Sequence, residues 1–358
     1  MRRLLGVLLS GTLVAATPVA ARASTSPRQA ALDQIVATGA VGAVAEVRDD
    51  HGVWRGSSGT AVLNTTTPVP VNSRFRAGSI TKTFVATVVL QLAASGRLRL
   101  DDPVARWLPS IGPGITVRDL LDHTSGLFDY LRTLDLPPSP EFFANRYRTW
   151  TADELVERGL AQPPTSDHPG TTFAYSNTGY ILLGQLISAV TGHTYADEID
   201  RRLIRPLGLT GTSVPGTSPR IPGPHPHGYV RGPGDSLVDL TTMNPSVMGA
   251  SGQMISTTAD LNRFFAALFA GRLLPRPVLA EMELPGVPGS PYGLGLFFRN
   301  TPCDIPVYGN DGDALAYQAW SYSTLDGSRQ VTIAVTPNFQ ANLDDLVNSY
   351  VDQVVCGS

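Results

Sequence analysis

The residues of this sequence best suited to chemistry are Ser79 and Lys82. Lys82 is the only lysine among the 27 basic residues of the chain, so every other cation is an arginine. Arginine keeps its proton in proteins, whereas a buried lysine amine can lose it and act as a base. If a helix begins at Ser79, the i, i+3 spacing places hydroxyl and amine on one face. The pair predicts an activated serine nucleophile; a surface lysine spared by chance is the alternative.

The surrounding pattern indicates the elements that must hold this pair. The helix that opens at Ser79 is predicted to close at Gly96. Alternation and turn residues predict strands at both ends of the chain, and apolar spacing predicts helices between them. The strands are 40–47, 52–61, 292–298, 316–324 and 330–336; the other helices are 28–38, 116–121, 151–159, 179–190, 257–270 and 342–355. Residues 215–233 are too rich in Pro and Gly for regular structure.

These elements predict a mixed α/β (α+β) fold. The two sheet-forming ends, about 28–78 and 285–358, must pair in space to make one antiparallel sheet flanked by helices. The middle, about 79–284, is then an inserted all-helical subdomain, within one domain that spans 24–358. A cleft between the two parts is the expected place for a site.

Composition limits the classes of partner and the compartment. With a net charge of −3 and 16% charged residues, the chain offers no electrostatic case for nucleic acid. Residues 1–23 have the charged start, apolar stretch and small-residue cleavage site of an export signal, so we expect a secreted protein with no membrane span in its mature part. In an exported chain, Cys303 and Cys356 are expected to form a disulfide rather than two free thiols.

Three motifs occur in an order that resembles a known superfamily. They are Ser79-Ile80-Thr81-Lys82, the stretch 121–126 (Leu-Asp-His-Thr-Ser-Gly), and Tyr175-Ser176-Asn177. The chain resembles the serine penicillin-binding-protein and class C β-lactamase superfamily, and most of all the secreted Streptomyces D-alanyl-D-alanine carboxypeptidases. The resemblance implies a β-lactamase/transpeptidase-like fold, no cofactor, a monomer, and a small-molecule or peptide substrate such as a peptidoglycan stem peptide.

The resemblance also implies roles for these residues. Ser79 would be the acylated nucleophile, Lys82 and Tyr175 would share the proton traffic, and Asn177 would orient the amine and the substrate. A Tyr175 phenolate beside an ammonium is one way to take the serine proton. The backbone N–H groups of Ser79 and Asp313 would form the oxyanion hole.

The third motif of the superfamily is altered in this sequence. Where relatives carry Lys or His, then Thr or Ser, then Gly, this chain has Asn310, Asp311 and Gly312. These positions are expected to contact the substrate, and in relatives they read its carboxylate. Replacing a cation and a hydroxyl by an amide and a carboxylate should repel an anionic substrate. If Asn310 and Asp311 do not read substrate charge, Arg299 is the first candidate to hold a carboxylate.

Histidines offer two weaker alternatives. His123 and Ser125 invite a Ser-His-Asp interpretation, but the chain has no Gly-x-Ser-x-Gly elbow, and relatives use this stretch as a structural turn. His225 and His227 lie in a Pro-rich loop without a third ligand, so no metal site is expected there.

The sequence therefore predicts an exported serine hydrolase or acyltransferase, with D-alanyl-D-alanine carboxypeptidase as the activity that the resemblance implies. One alternative keeps the same machinery for an ester, an amide or a D-amino peptide whose donor lacks a free carboxylate. The other is a catalytically silent binding homologue, which the complete set of Ser79, Lys82, Tyr175 and Asn177 argues against.

Overall fold

The computed structural model describes residues 26–357. Its centre is a six-stranded antiparallel sheet with strand order β2-β1-β10-β9-β8-β7, accompanied by two sheets of two strands each, β3-β6 and β4-β5. The strands are β1 Ala40–Asp49, β2 Gly52–Gly59, β3 Phe75–Arg76, β4 Tyr229–Arg231, β5 Leu237–Asp239, β6 Ile255–Ser256, β7 Phe297–Asn300, β8 Pro306–Asp313, β9 Gln318–Ser323 and β10 Gln330–Pro337.

Helices cover both faces of the large sheet. They are α1 Pro27–Gly39, α2 Ile80–Ala94, α3 Val117–Leu121, α4 Pro140–Asn145, α5 Ala152–Leu160, α6 Asn177–Thr191, α7 Tyr195–Ile199, α8 Arg205–Leu207, α9 Gly249–Gly252, α10 Thr258–Phe269, α11 Arg276–Met282 and α12 Asp344–Cys356.

The two ends of the chain form one sheet, as the sequence predicted. β1 pairs with β10 in a register that runs from Arg48 opposite Gln330 to Ala40 opposite Pro337. Both strands are almost wholly buried because α1 and α12 pack on one face of the sheet and α2 and α10 on the other. A strand buried on both faces reads as a continuous apolar run, which is what 40–47 shows.

Helix α2 carries the Ser-x-x-Lys pair into the middle of the molecule. Its residues are buried from Ile80 to Leu90, and it contacts α6, α9 and β8. Ser79 occupies the N-cap position, so its hydroxyl lies at the end of the helix where backbone N–H groups lack intrahelical partners.

The cysteine prediction is confirmed. Cys303 and Cys356 form a disulfide with a sequence separation of 53 residues. It ties the turn between β7 and β8 to the end of α12 and so braces the strand pair beside the cleft.

Three sequence-based boundaries are corrected. The strand predicted at 292–298 begins only at Phe297, because Gly295 adopts a positive φ of 84° and Gly293 N–H bonds to the Leu296 carbonyl, which makes a tight turn. The irregular stretch 215–233 contains β4, which pairs with β5. The inserted middle is therefore not all-helical, since it contains β4, β5 and β6.

The predicted export signal, residues 1–23, lies outside the described residues. Within residues 26–357, none of the helices combines the length and hydropathy that a bilayer crossing needs.

Candidate active site

Ser79 and Lys82 meet at the start of α2. The Lys82 side chain is fully buried, and its Nζ donates to Ser79 Oγ at 2.9 Å. Two further acceptors surround the same amine, Asn177 Oδ1 at 2.7 Å and the Ser251 carbonyl at 2.8 Å. Three acceptors match the three N–H bonds of an ammonium group, so the amine has one fixed position beside the serine.

Tyr175 is the third side chain that contacts this pair. Its hydroxyl donates to Ser79 Oγ at 2.8 Å, and its ring centre lies 4.8 Å from Lys82 Nζ. Tyr175 comes just before α6, whose first residue is Asn177. The tripeptide thus delivers a phenol and an amide to one serine, as the resemblance implied.

Asp129 is part of this network and was missed by the sequence analysis. Asn177 Nδ2 donates to Asp129 Oδ1 at 3.2 Å and to Oδ2 at 3.0 Å. This contact fixes the amide so that its oxygen faces Lys82. Asp129 belongs to no motif that could have drawn attention to it. Its carboxylate also accepts from Leu131 N–H at 3.1 Å, an ordinary cap of the turn that follows.

Burial shifts the pKa values of Lys82 and Tyr175 in opposite directions. Burial lowers the pKa of Lys82 to about 7, against the opposing attraction of Asp129 and Asp311. The pKa of the Tyr175 phenol is raised well above its ordinary value, chiefly by burial and then by Tyr292. A phenolate is therefore disfavoured, and the phenolate route considered from the sequence is not supported. The neutral Lys82 amine is the group that can take the serine proton near neutral pH.

The strand β8 runs directly against the turn that carries Ser79. A Cβ added at Gly312 would lie 2.0 Å from the Ala77 carbonyl oxygen and 2.9 Å from Ser79 N. A Cβ added at Gly78, whose φ is +53°, would lie 2.7 Å from Asp313 N. Only glycine permits this approach, which brings together the backbone of Ser79 and Asp313, the two residues expected to form the oxyanion hole.

Asn310 does not line the open cleft, which corrects its predicted role in substrate binding. Its side chain is fully buried, and Nδ2 donates to Thr83 Oγ1 of α2 at 3.0 Å. Thr83 in turn donates to the Gly295 carbonyl at 2.8 Å. Asn310 thus ties β8 to α2 and to the turn before β7.

Asp311 is the partly exposed member of the altered motif. The β7–β8 ladder ends at Gly309, so residues 310–313 have an edge without a strand partner toward the cleft. Asp311 is half-buried on this edge, and its carboxylate and the Lys82 amine influence each other's pKa. Burial, reinforced by Asp344, raises the pKa of Asp311. A carboxylate thus stands where relatives place a hydroxyl.

Arg299 is not available to a substrate carboxylate, which removes the fallback considered from the sequence. Its Nη1 donates to Asp352 Oδ1 at 2.7 Å, and Nη2 donates to the Asn348 carbonyl at 3.3 Å. Both partners belong to α12, on the side of the sheet away from α2.

The histidines do not form a second centre. His123 Nδ1 accepts from the Ser176 N–H at 3.1 Å, and Ser125 Oγ accepts from the Leu127 N–H at 3.3 Å. His227 Nδ1 pairs with Asp239 Oδ2 at 2.6 Å. Within the described residues, no group of His, Cys, Asp and Glu side chains is arranged to hold a metal ion.

Known proteins similar to this chain carry the same architecture. A sequence model of the family described as Beta-lactamase matches residues 28–355. Penicillin-binding protein 4* of Bacillus subtilis (strain 168) is 30% identical over 299 residues, which cover 76% of this chain and 63% of the relative. The chain therefore spans less than two thirds of that relative's length.

Solved structures match over nearly their whole length. A D-stereospecific amidohydrolase from Streptomyces sp. is 37% identical with a TM-score of 0.84, covering 92% of this chain and 98% of that one. The D-amino acid amidase from Ochrobactrum anthropi SV3, complexed with L-phenylalanine amide, is 28% identical with a TM-score of 0.80, covering 92% and 97%.

Proposed function

The chain belongs to the beta-lactamase family of serine hydrolases, and we propose that it cleaves amide or ester bonds of small amino-acid or peptide substrates that carry no carboxylate beside the scissile bond. Ser79 forms the acyl-enzyme and water releases the acid. Export of the protein, and its action as a monomer, remain proposals from the sequence.

The proposed reaction follows from the contacts of Ser79. The neutral Lys82 amine takes the Ser79 proton over 2.9 Å while Oγ attacks the substrate carbonyl. Negative charge on the carbonyl oxygen is stabilised by the N–H groups of Ser79 and Asp313. Tyr175 gives its proton to the leaving nitrogen or oxygen and regains one from Lys82, so the site ends the acylation step with the same protons it began with. Water then attacks the ester carbonyl and gives a proton to the neutral Lys82 amine, which returns a proton to the departing Ser79 Oγ over 2.9 Å, so the acid is released and both residues regain their starting protonation states.

One observation carries the choice of substrate, namely the carboxylate of Asp311 at the open edge of β8. A D-alanyl-D-alanine peptide or a β-lactam places its own carboxylate at this edge in relatives of the family. Here that carboxylate would face Asp311, while Asn310 is buried and Arg299 is bound to α12. A neutral or amine-bearing substrate avoids this repulsion.

The comparisons support an amidase over a carboxypeptidase. The Streptomyces structure is named as a D-stereospecific amidohydrolase and the Ochrobactrum structure as a D-amino acid amidase. Acyl donors of the D configuration are therefore the first to test. The carboxypeptidase remains the second candidate, because a penicillin-binding protein is 30% identical to this chain.

The test is a panel of substrates that differ in one feature each. The first pair, D- and L-phenylalanine amide, tests the effect of configuration. The second pair, a D-alanyl-D-alanine peptide and its C-terminal amide, tests the effect of charge on the leaving group. Product formation is followed by liquid chromatography and mass spectrometry, with Ser79→Ala as the control. We expect Ser79-dependent release from the D-amides and little from the free peptide acid. Faster cleavage of the acid than of its amide would contradict the proposal.

A further inference from the structure

We propose that His123 is a positioning residue for the proposed reaction, which holds Tyr175 in place to protonate the leaving group. The inference rests on the proposed hydrolase function, and it concerns a residue whose hydrogen bonds within the described residues go to the backbone of Ala174 and Ser176 and not to Ser79 or Lys82. It assigns a role within the reaction to the histidine of a stretch that the sequence presents as a turn.

His123 forms hydrogen bonds with the backbone on both sides of Tyr175. Its carbonyl accepts from the Ala174 N–H at 2.8 Å, and its ring Nδ1 accepts from the Ser176 N–H at 3.1 Å. Its ring also lies on the Tyr175 ring, with centres 4.2 Å apart and planes tilted by 32°. Three contacts from one residue therefore fix the backbone before, the backbone after and the side chain of Tyr175.

The ring can do this in only one protonation state. Because Nδ1 accepts a hydrogen bond, the neutral imidazole carries its proton on Nε2. Nε2 is buried and has no hydrogen-bond partner among the described residues; around it lie the rings of Tyr180 and Tyr292, with centres 5.2 and 4.7 Å from that of His123. A second proton on Nδ1 would break the bond to Ser176 and place a cation near Lys82.

The backbone at this position explains why few residues could replace histidine. His123 has a φ of +61°, a left-handed conformation in which His, Asn and Asp are enriched among residues other than glycine. The position therefore requires a residue that accepts this conformation and also presents an acceptor to Ser176. Asparagine meets both conditions, since its Oδ1 occupies the place of Nδ1. Glycine meets only the first.

His123→Asn and His123→Gly thus form a matched pair that differs in the acceptor. The assay compares an amide and a 4-nitrophenyl ester of the same acyl group, because amide cleavage needs a proton on the leaving nitrogen and 4-nitrophenolate leaves without one. We expect His123→Gly to lower kcat for the amide at least about tenfold more than for the ester. His123→Asn should return the amide-to-ester ratio to within about threefold of the parent.

Tyr175→Phe provides the second arm of the test. It should show the same selective loss on the amide, and combining it with His123→Gly should add little, since both changes remove one function. Equal losses on both substrates, equal ratios for His123→Asn and His123→Gly, or additive effects in the double variant would each overturn the inference. Fluorophosphonate labelling of Ser79 counts the folded sites in every variant.

A readout without turnover separates this inference from the proposed function. In protein labelled with ¹⁵N-histidine, NMR should show His123 neutral with its proton on Nε2. In uniformly ¹⁵N-labelled protein, His123→Gly should shift the Ser176 amide resonance. A His123 ring protonated on Nδ1 overturns the inference even where the enzyme is active. If no Ser79-dependent turnover occurs on any substrate, the proposed function fails, and the role of His123 in leaving-group protonation fails with it.

Discussion

Replacing Asp311 by Asn should make the enzyme accept anionic substrates. The change removes one charge from the edge of β8 and keeps the size of the side chain. Two carboxylates about 6 Å apart repel each other by about 1.4–2.8 kcal/mol at an effective dielectric constant of roughly 20–40. We therefore expect kcat/KM for an anionic donor to rise about tenfold to a hundredfold. A neutral amide should change by less than about threefold.

The substitution is made at Asp311 alone, because Asn310 is buried against Thr83 and histidine in its place would lose that hydrogen bond. A joint replacement that restores the superfamily pattern, Asn310→His with Asp311→Thr, would change two residues that have different surroundings in the structure. A double replacement would mix substrate charge with packing around α2.

The assay measures kcat/KM for a D-alanyl-D-alanine peptide and for its C-terminal amide, in the parent and in Asp311→Asn. Asp50→Asn is the matched control. This substitution changes the net charge by the same amount as Asp311→Asn. The Asp50 side chain is 73% exposed in the turn between β1 and β2. If the ratio of the two substrates moves equally in both variants, or in neither, the reasoning about Asp311 is refuted.

The pH dependence gives a second check of the same idea. Asp311 repels an anion only when it is ionised, and burial raises its pKa above the ordinary value. As the pH falls through that raised pKa, the charge is lost. The parent should therefore discriminate less against the acid substrate at low pH, whereas Asp311→Asn should show a ratio that does not follow this group.

Five further outcomes are expected. Ser79→Ala should abolish turnover and fluorophosphonate labelling while circular dichroism stays unchanged; labelling that persists points to another nucleophile. Lys82→Arg should be nearly as inactive as Lys82→Ala, since arginine cannot act as the base. In the parent protein, activity should rise with pH through about 7, the pKa of Lys82. Asp129→Asn removes a charge that raises that pKa, so the acid limb of the pH profile should move to lower pH; a shift to higher pH contradicts the assignment. Replacing Cys303 and Cys356 by serine should cost about 4 kcal/mol of stability for a loop of 53 residues, measured by denaturant unfolding; an unchanged midpoint would show that the bridge adds nothing.

The sequence predicted the parts of the site that depend on local spacing. Ser79 and Lys82 meet because they lie one turn apart at the start of a helix, and Tyr175 and Asn177 reach them because their motif opens α6. The joining of the chain ends into one sheet was also predictable, since each end carried apolar strands that need a partner. The Ser79–Lys82 pair and the joined sheet needed only periodicity and residue type, whereas the approach of Tyr175 and Asn177 to Ser79 was implied by the family resemblance.

The roles of Asp129 and Asn310 depend on long-range packing and were not predictable. Asp129 meets Asn177 across 48 residues of sequence, and Asn310 meets Thr83 across 227. A strand alternates its side chains between two faces. The side chains of residues 310 and 311 therefore leave β8 on opposite faces of the sheet, but only the packing of the folded sheet decides which face each one takes.

The structure explains why position 82 holds a lysine, whereas every other cationic position of the chain holds an arginine. Arg76 lies six residues before Lys82 and is also fully buried, with Nη2 donating to the carbonyls of Pro219, Thr241 and Met243. The fold therefore accommodates a buried arginine beside the site, and burial alone does not require lysine at position 82. What distinguishes Lys82 is its set of three acceptors, one of which is the nucleophile Ser79. An amine there can take a proton and return it, whereas a guanidinium stays charged. Reversible proton transfer is thus the property that this position demands.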